Sequence, residues 1–284
     1  KFSAMLIFIS MWMLIVYVPV THWVWGGGIL SSWGTMDFAG GIVVHATAGT
    51  AALVTALTLG KRRGFPKSIT PPHSPILTMI GAAMLWVGWF GFNAGSALGA
   101  NGGAGMAMLV THISASMAAL VWMFIEWKRF GKPSLIGVVT GMVAGLATVT
   151  PASGYIGIPG GLVLGFSGGL LCYLAVDYIR GKLLIDDSLD VFAVHGVGGI
   201  LGTLLVAFLA TSTFSGLGLP EGQTAMSQFV VQIKAVILTV IWTSIFTYLI
   251  LKVTSLIVPL RVDEQEEIEG LDLRSHGEKG YHSD

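Results

Sequence analysis

The chain has 284 residues, 54% of them hydrophobic and 11% charged, with 15 Lys and Arg balanced by 15 Asp and Glu. Eleven of the 30 charges fall after residue 260, leaving too few upstream to clothe a water-soluble surface, where roughly a quarter of residues are charged. A mean hydropathy of +0.78, zero net charge and one cysteine, Cys172, exclude a disordered chain, a nucleic-acid binder and a disulfide-stapled secreted domain, and leave an all-α polytopic membrane protein.

A helix needs about 20 predominantly apolar residues to cross the hydrocarbon core. Eight stretches meet that length: 3–25, 37–60, 76–100, 104–127, 134–152, 154–179, 191–210 and 227–260. The last is long enough that it must tilt, bend or protrude. Lys1, the run Lys61, Arg62, Arg63 and Lys67, the run Lys128, Arg129 and Lys132, and the pair Arg180 and Lys182 all fall in alternate connections. The other connections (26–36, 101–103, 153 and 211–226) hold no Lys or Arg. The positive-inside rule makes the first set cytoplasmic, together with the acidic tail 261–284.

Two segments resemble each other. Asp37-Phe-Ala-Gly-Gly-Ile-Val-Val-His45 and Asp190-Val-Phe-Ala-Val-His195 each open a span with Asp and place a His shortly inside it. Four spans lie between them, so the unit is five helices, and an odd number inverts the second copy. Inverted repeats of this kind frame a pathway near the bilayer midplane. The division expected is a transmembrane domain over 1–260, with an incomplete first repeat at 1–60, a second at 76–210 and a final helix at 227–260. A full first repeat would need roughly a hundred further residues ahead of His45, so three helices are expected to precede this chain.

Ionisable residues inside a membrane are costly unless they have a partner, and are therefore rare and telling. His45 and His195 occupy matching places, and pseudo-symmetry would bring them face to face as neutral imidazoles sharing one hydrogen bond, each with a ring nitrogen left for a passing solute. Asp37 and Asp190 are placed to cap helix N-termini, and at the mouth of a cation path either would add negative potential. Trp23, Trp25 and Trp33 gather on the outer side as an interfacial belt; Trp25 precedes three glycines that could present its indole face to a cation. Phe92 and Ser96 share a helical face, offering an apolar gate beside a hydroxyl. Gly40–Gly41, Gly88, Gly91, Gly95 and Gly160–Gly161 read as helix-packing stripes, and His22 and His112 as structural or interfacial.

The motifs HWVWGGG at 22–28, DFAGGIVVH at 37–45, GWFGFNAGSA at 88–97, TPASGYIG at 150–157, DVFAVHGVGG at 190–199 and EGLDLRSHGE at 269–278 resemble the ammonium transporter family (Amt/Mep, related to the Rhesus proteins), in its bacterial Amt branch. The resemblance implies an eleven-helix fold, eight helices of which are in this chain, assembled as a homotrimer with one pore per protomer. It places Trp25, Ser96 and Asp37 at an ammonium recruitment site, Phe92 at the inner phenyl gate, Trp89 along the pore, and His45 with His195 as the twin-histidine pair. The outer phenyl gate would lie on a helix ahead of this chain. It further implies a multi-pass protein of the cell membrane with no cofactor and no enzymatic activity, contacting lipid, transporting ammonium or its analogue methylammonium, and docking a PII-type regulator on its cytoplasmic side.

The expected mechanism follows from selectivity. Potassium and ammonium are similar in size, but only ammonium can shed a proton and cross a dry aromatic pore as a neutral molecule. Two alternatives belong to other classes: an ammonium sensor signalling through its tail, and a bis-histidine haem protein.

Overall fold

The computed structural model describes residues 1–68 and 71–281; the last three residues of the tail expected at 261–284 lie outside the described residues. Among the described residues eight apolar helices make up the body. They are α1 (Phe2–Ser32), α2 (Gly41–Leu59), α3 (Pro75–Gly95), α4 (Gly102–Phe130), α5 (Leu135–Val149), α6 (Ile158–Gly181), α7 (Phe192–Leu209) and α8 (Ala225–Ile257). Seven are long and apolar enough to cross a membrane, and the eighth, α5, has 15 residues. At 1.5 Å per residue it is about 22 Å long, shorter than the expected span 134–152 because Thr150-Pro151 turns the chain out of the helix. By the same measure the 33 residues of α8 reach about 50 Å, well beyond a hydrocarbon core of about 30 Å.

The helix starts are written in local sequence. Ser74, Asn101 and Ser134 accept hydrogen bonds on their side chains from Leu77, Ala104 and Gly137 N–H at 3.2, 3.0 and 2.8 Å. Thr224 and Ser227 cap each other reciprocally at the head of α8, which satisfies donors that would otherwise be orphaned in a low-dielectric medium. Gly131 ends α4 at φ +78°, the left-handed conformation that a residue without Cβ adopts readily.

Packing inverts the pattern of a soluble protein. On α8 the polar Gln228, Gln232, Thr239, Thr243, Thr247 and Thr254 are buried, whereas Ile237, Ile241 and Ile245 are exposed, as expected where the surrounding medium is lipid. Helices α4, α5 and α6 form one close-packed group, α3 lies against α4 and α5, and α8 runs along α1, α2 and α7. Helices α2 and α7 cross at the centre, with α5 packed against α7.

The expected stripe Gly88, Gly91 and Gly95 packs against no other helix among the described residues: a Cβ on any of the three would meet nothing within 4 Å. Gly41 and Gly161, by contrast, press against Pro151 and Val110.

Candidate functional site

Both histidines sit on widened helical turns. His45 lies in a π-helical turn at Gly41–Ala46, and His195 in a second at Phe192–Gly196. Each turn inserts one residue into the helix, a device that concentrates at functional sites, and no side-chain periodicity in the sequence announces either. Nδ1 of His195 stands 3.2 Å from Nδ1 of His45, and the ring centroids are 5.2 Å apart with an interplanar angle of 28°. Two neutral imidazoles meeting through Nδ1 require one to donate and the other to accept. The two Nε2 atoms are then of opposite character, one a lone pair and one an N–H. Nε2 of His45 is buried with no protein hydrogen-bond partner among the described residues.

An aromatic wall frames the pair. Trp89 stacks on His45 at 5.3 Å and 14°, and Phe92 meets His45 edge-on at 6.1 Å. The Trp89 indole N–H donates to Thr150 Oγ1 at 3.0 Å, so the residue that opens TPASGYIG fixes the ring beside the histidines. Pro151 of the same motif accepts the Phe38 N–H at 2.9 Å. The pair opens on a cavity of about 720 Å³. Its other lining is Val44, Ala48, Gly81, Met84, Leu85, Gly88, Trp89, Phe92 and Val191, apolar apart from the imidazoles and the indole.

At one end of the bundle Trp25 is 45% exposed, and its indole N–H donates to the Asp37 carbonyl at 2.8 Å. The Asp37 side chain is buried and accepts four backbone hydrogen bonds, Oδ1 from Gly40 and Gly41 at 2.9 and 2.6 Å, Oδ2 from Ile42 and Val43 at 2.8 and 3.1 Å. The chain enters this cradle through Gly40 at φ +117°, where an L side chain would be strained. Ser96 lies just past the end of α3 and donates to the Phe92 carbonyl at 2.8 Å. Trp25 and Asp37 are thus joined by one hydrogen bond, and Phe92 and Ser96 by another.

The expected equivalence of Asp37 and Asp190 is corrected by the hydrogen bonding. It is Asp187 that caps α7: Oδ2 accepts the Phe192 N–H at 2.7 Å, and the side chain is buried. Asp187 precedes His195 by eight positions, as Asp37 precedes His45, and that equal spacing was the signal available in the sequence. The Asp190 carboxylate turns away to pair with Arg180 at 3.1 Å. Burial pushes it up to about 6, with the Asp187 charge adding to the rise and Arg180 opposing it.

The basic loops gather at the end opposite Trp25. The Arg62 guanidinium and backbone N–H hold Asp186 through four hydrogen bonds of 2.6–3.1 Å. Burial alone would raise the Asp186 carboxyl, but those bonds outweigh it and hold it below the usual range. Arg261 donates to the Leu59 and Lys61 carbonyls and pairs with Glu267 at 2.8 Å, and Glu267 also accepts the Arg63 N–H at 2.9 Å. The acidic tail is therefore fastened to the end of α2, with a short helix at Glu264–Glu269. Of the other residues singled out in the sequence, His112 stacks on Trp86 at 5.1 Å, and Trp23 of the expected interfacial belt meets Trp242 at 4.9 Å. Among the described residues no three His, Cys, Asp or Glu side chains cluster to hold a metal ion.

A family model described as the Ammonium Transporter Family matches residues 1–281. The chain is 47% identical over 282 residues to ammonium transporter Amt1 of Archaeoglobus fulgidus, covering 99% of this chain and 71% of that relative. It is equally 47% identical over 282 residues to an ammonium transporter of Aquifex aeolicus, of which it covers 65%. Among solved structures, Saccharomyces cerevisiae Mep2 superposes with a TM-score of 0.83 at 34% identity, over 93% of this chain and 62% of that one. A structure titled Sensor Amt Protein gives 0.85 at 31% identity, over 92% and 67%. The chain spans 62–71% of the lengths of these four proteins.

Proposed function

The chain belongs to the ammonium transporter family, and we propose that it carries ammonium across the cell membrane by separating it into ammonia and a proton. Ammonium is recruited at the Trp25 end, where the indole face attracts a cation and the Asp37 carboxylate adds negative potential. Ser96 supplies a hydroxyl lone pair, and Phe92 is the apolar gate behind it. A cation that entered the apolar cavity would lose its hydration without compensation, at a cost of several kcal/mol or more. Ammonium avoids this by breaking one N–H bond. The electron pair stays on nitrogen, neutral ammonia moves past Trp89, and the proton is taken up by the unshared Nε2 lone pair of one imidazole.

The relay then balances. The receiving ring gains a proton at Nε2 and gives up its Nδ1 proton to the facing Nδ1, and the second ring releases its Nε2 proton on the far side. This interchanges the two tautomers, and each ring then moves a proton between its own nitrogens through water before the next ammonium arrives. One positive charge crosses per ammonium, while potassium has no proton to lose and is excluded. The observation that carries this reading is the 3.2 Å Nδ1–Nδ1 contact inside an otherwise apolar cavity. An ammonium concentration jump across proteoliposomes should give an electrogenic current, and the same jump in potassium none; equal currents from both ions overturn the reading.

We further propose that the protein works as a homotrimer with its tail in the cytoplasm, where the fastened acidic segment 263–269 offers a docking surface to a PII-type regulator. A sensing role in place of transport is the second reading, favoured by the same tail contacts and by the likeness to the structure titled Sensor Amt Protein. Binding of ammonium without current, together with tail-dependent capture of a cytoplasmic partner, would select it.

A further inference from the structure

Between Trp33 and Gly40 the backbone is irregular, yet Met36, Asp37 and Ala39 are buried. Irregular backbone at membrane depth persists only where protein groups satisfy its N–H and C=O. Here the groups come from α8. Gln232 Oε1 accepts the Met36 N–H at 2.9 Å, and Gln232 Nε2 donates to the Met36 carbonyl at 2.7 Å. The amide thus grips both polar groups of one residue, much as a neighbouring strand would. Nε2 also donates to the Thr203 carbonyl of α7 at 2.9 Å, and Oε1 accepts from Gln228 Nε2 at 3.2 Å. Every hydrogen-bonding position of this buried amide is therefore used. Gln228 adds a second hold through the Gly34 carbonyl at 2.9 Å.

Met36 is followed directly by Asp37, whose carbonyl orients the Trp25 ring and whose carboxylate gathers the first N–H groups of α2. We infer that Gln232 is a positioning residue for ammonium recruitment: by fixing Met36 it sets the placement of Asp37 and, through the Asp37 carbonyl, the orientation of the Trp25 indole. It touches no solute and acts through the loop. The inference rests on the reading that Trp25 and Asp37 recruit ammonium. The histidine pair is held by other contacts, Trp89 on Thr150 and the close approach of Gly49 to Gly196. Losing the amide therefore weakens capture of the cation and spares passage.

The test is the concentration dependence of methylammonium current in proteoliposomes for wild type, Gln232→Leu, Gln232→Glu and Trp25→Ala. Gln232→Glu keeps the shape but sets an oxygen against the Met36 and Thr203 carbonyls. Both Gln232 variants should raise the half-saturation concentration about tenfold while the maximal current per folded protein stays within about twofold. Trp25→Ala should raise half-saturation similarly, and Trp25→Ala combined with Gln232→Leu by less than the product of the two. A merely structural role lowers the amount of folded protein with half-saturation unchanged. If Trp25→Ala shifts half-saturation and the Gln232 variants do not, the positioning role alone is overturned. If Trp25→Ala leaves it unshifted, the recruitment reading falls and takes the inference with it. Should neither Gln232 variant fold, Gln228→Leu decides, since it loses the Gly34 hold and the bridge to Gln232. A rise in half-saturation supports the role and an unchanged value overturns it.

Discussion

Gly49 and Gly196 meet with no side chain between them, and a Cβ built on Gly49 would collide with the Gly196 backbone. Gly49 lies one turn beyond His45 and Gly196 directly follows His195, so this contact between α2 and α7 governs how closely the two imidazoles approach. Replacing Gly49 with Leu forces the helices apart. Overpacking of this kind costs about 1–3 kcal/mol, and the widened crossing should also break the Nδ1–Nδ1 contact. Thermal unfolding in detergent should show the loss of stability, and ammonium current should disappear with it; wild-type stability together with wild-type current would contradict the role of the crossing.

Thr150→Val removes the acceptor for the Trp89 indole N–H and leaves that donor buried and unpaired. The expected cost is about 1–3 kcal/mol, with a loosened ring beside His45. Denaturation of the folded protein measures the first effect, and the tryptophan emission maximum reports the second.

Asp190 gives the protein a pH-dependent stability of defined sign. Its folded value of about 6 lies above the ordinary carboxylate value near 3.9, so the native state prefers the protonated form. The resulting stabilisation is fully present below about pH 4 and is lost as the pH rises towards 6. The difference in melting temperature between wild type and Asp190→Asn should therefore change across pH 4–6 and level off above it. Asp186, held low by Arg62, works in the opposite direction and is common to both proteins. A difference that is flat over the whole window would contradict the assignment.

Arg261→Ala should release the tail while leaving the membrane body intact. Its pair with Glu267 is partly exposed, with side-chain accessibilities of 39% and 24%, and such pairs contribute only about 0–1 kcal/mol. Global stability should barely move, whereas hydrogen exchange over 261–276 should accelerate and proteolysis there should begin earlier.

The membrane architecture was legible because seven of the eight helices are long apolar runs, and His45 and His195 each interrupt one. The pairing of His45 with His195 followed from two similar segments 150 positions apart. Asp187 was missed because Asp190-Val-Phe-Ala resembles Asp37-Phe-Ala more than Asp187 does, while the register shared by the two capping carboxylates is the eight-residue step to histidine. Thr150 and Gln232 act across 61 and 196 positions of sequence, and no local spacing encodes such contacts. Gly88, Gly91 and Gly95 matched a helix-packing pattern that identifies small residues without identifying what lies opposite them.

The central claim is tested most directly by measuring ammonium-evoked current in proteoliposomes containing His45→Leu, His195→Leu or wild-type protein at matched folded amounts. The account predicts a current from wild type and none from either variant, since each ring carries the proton for the other. Undiminished current in both single variants would contradict it.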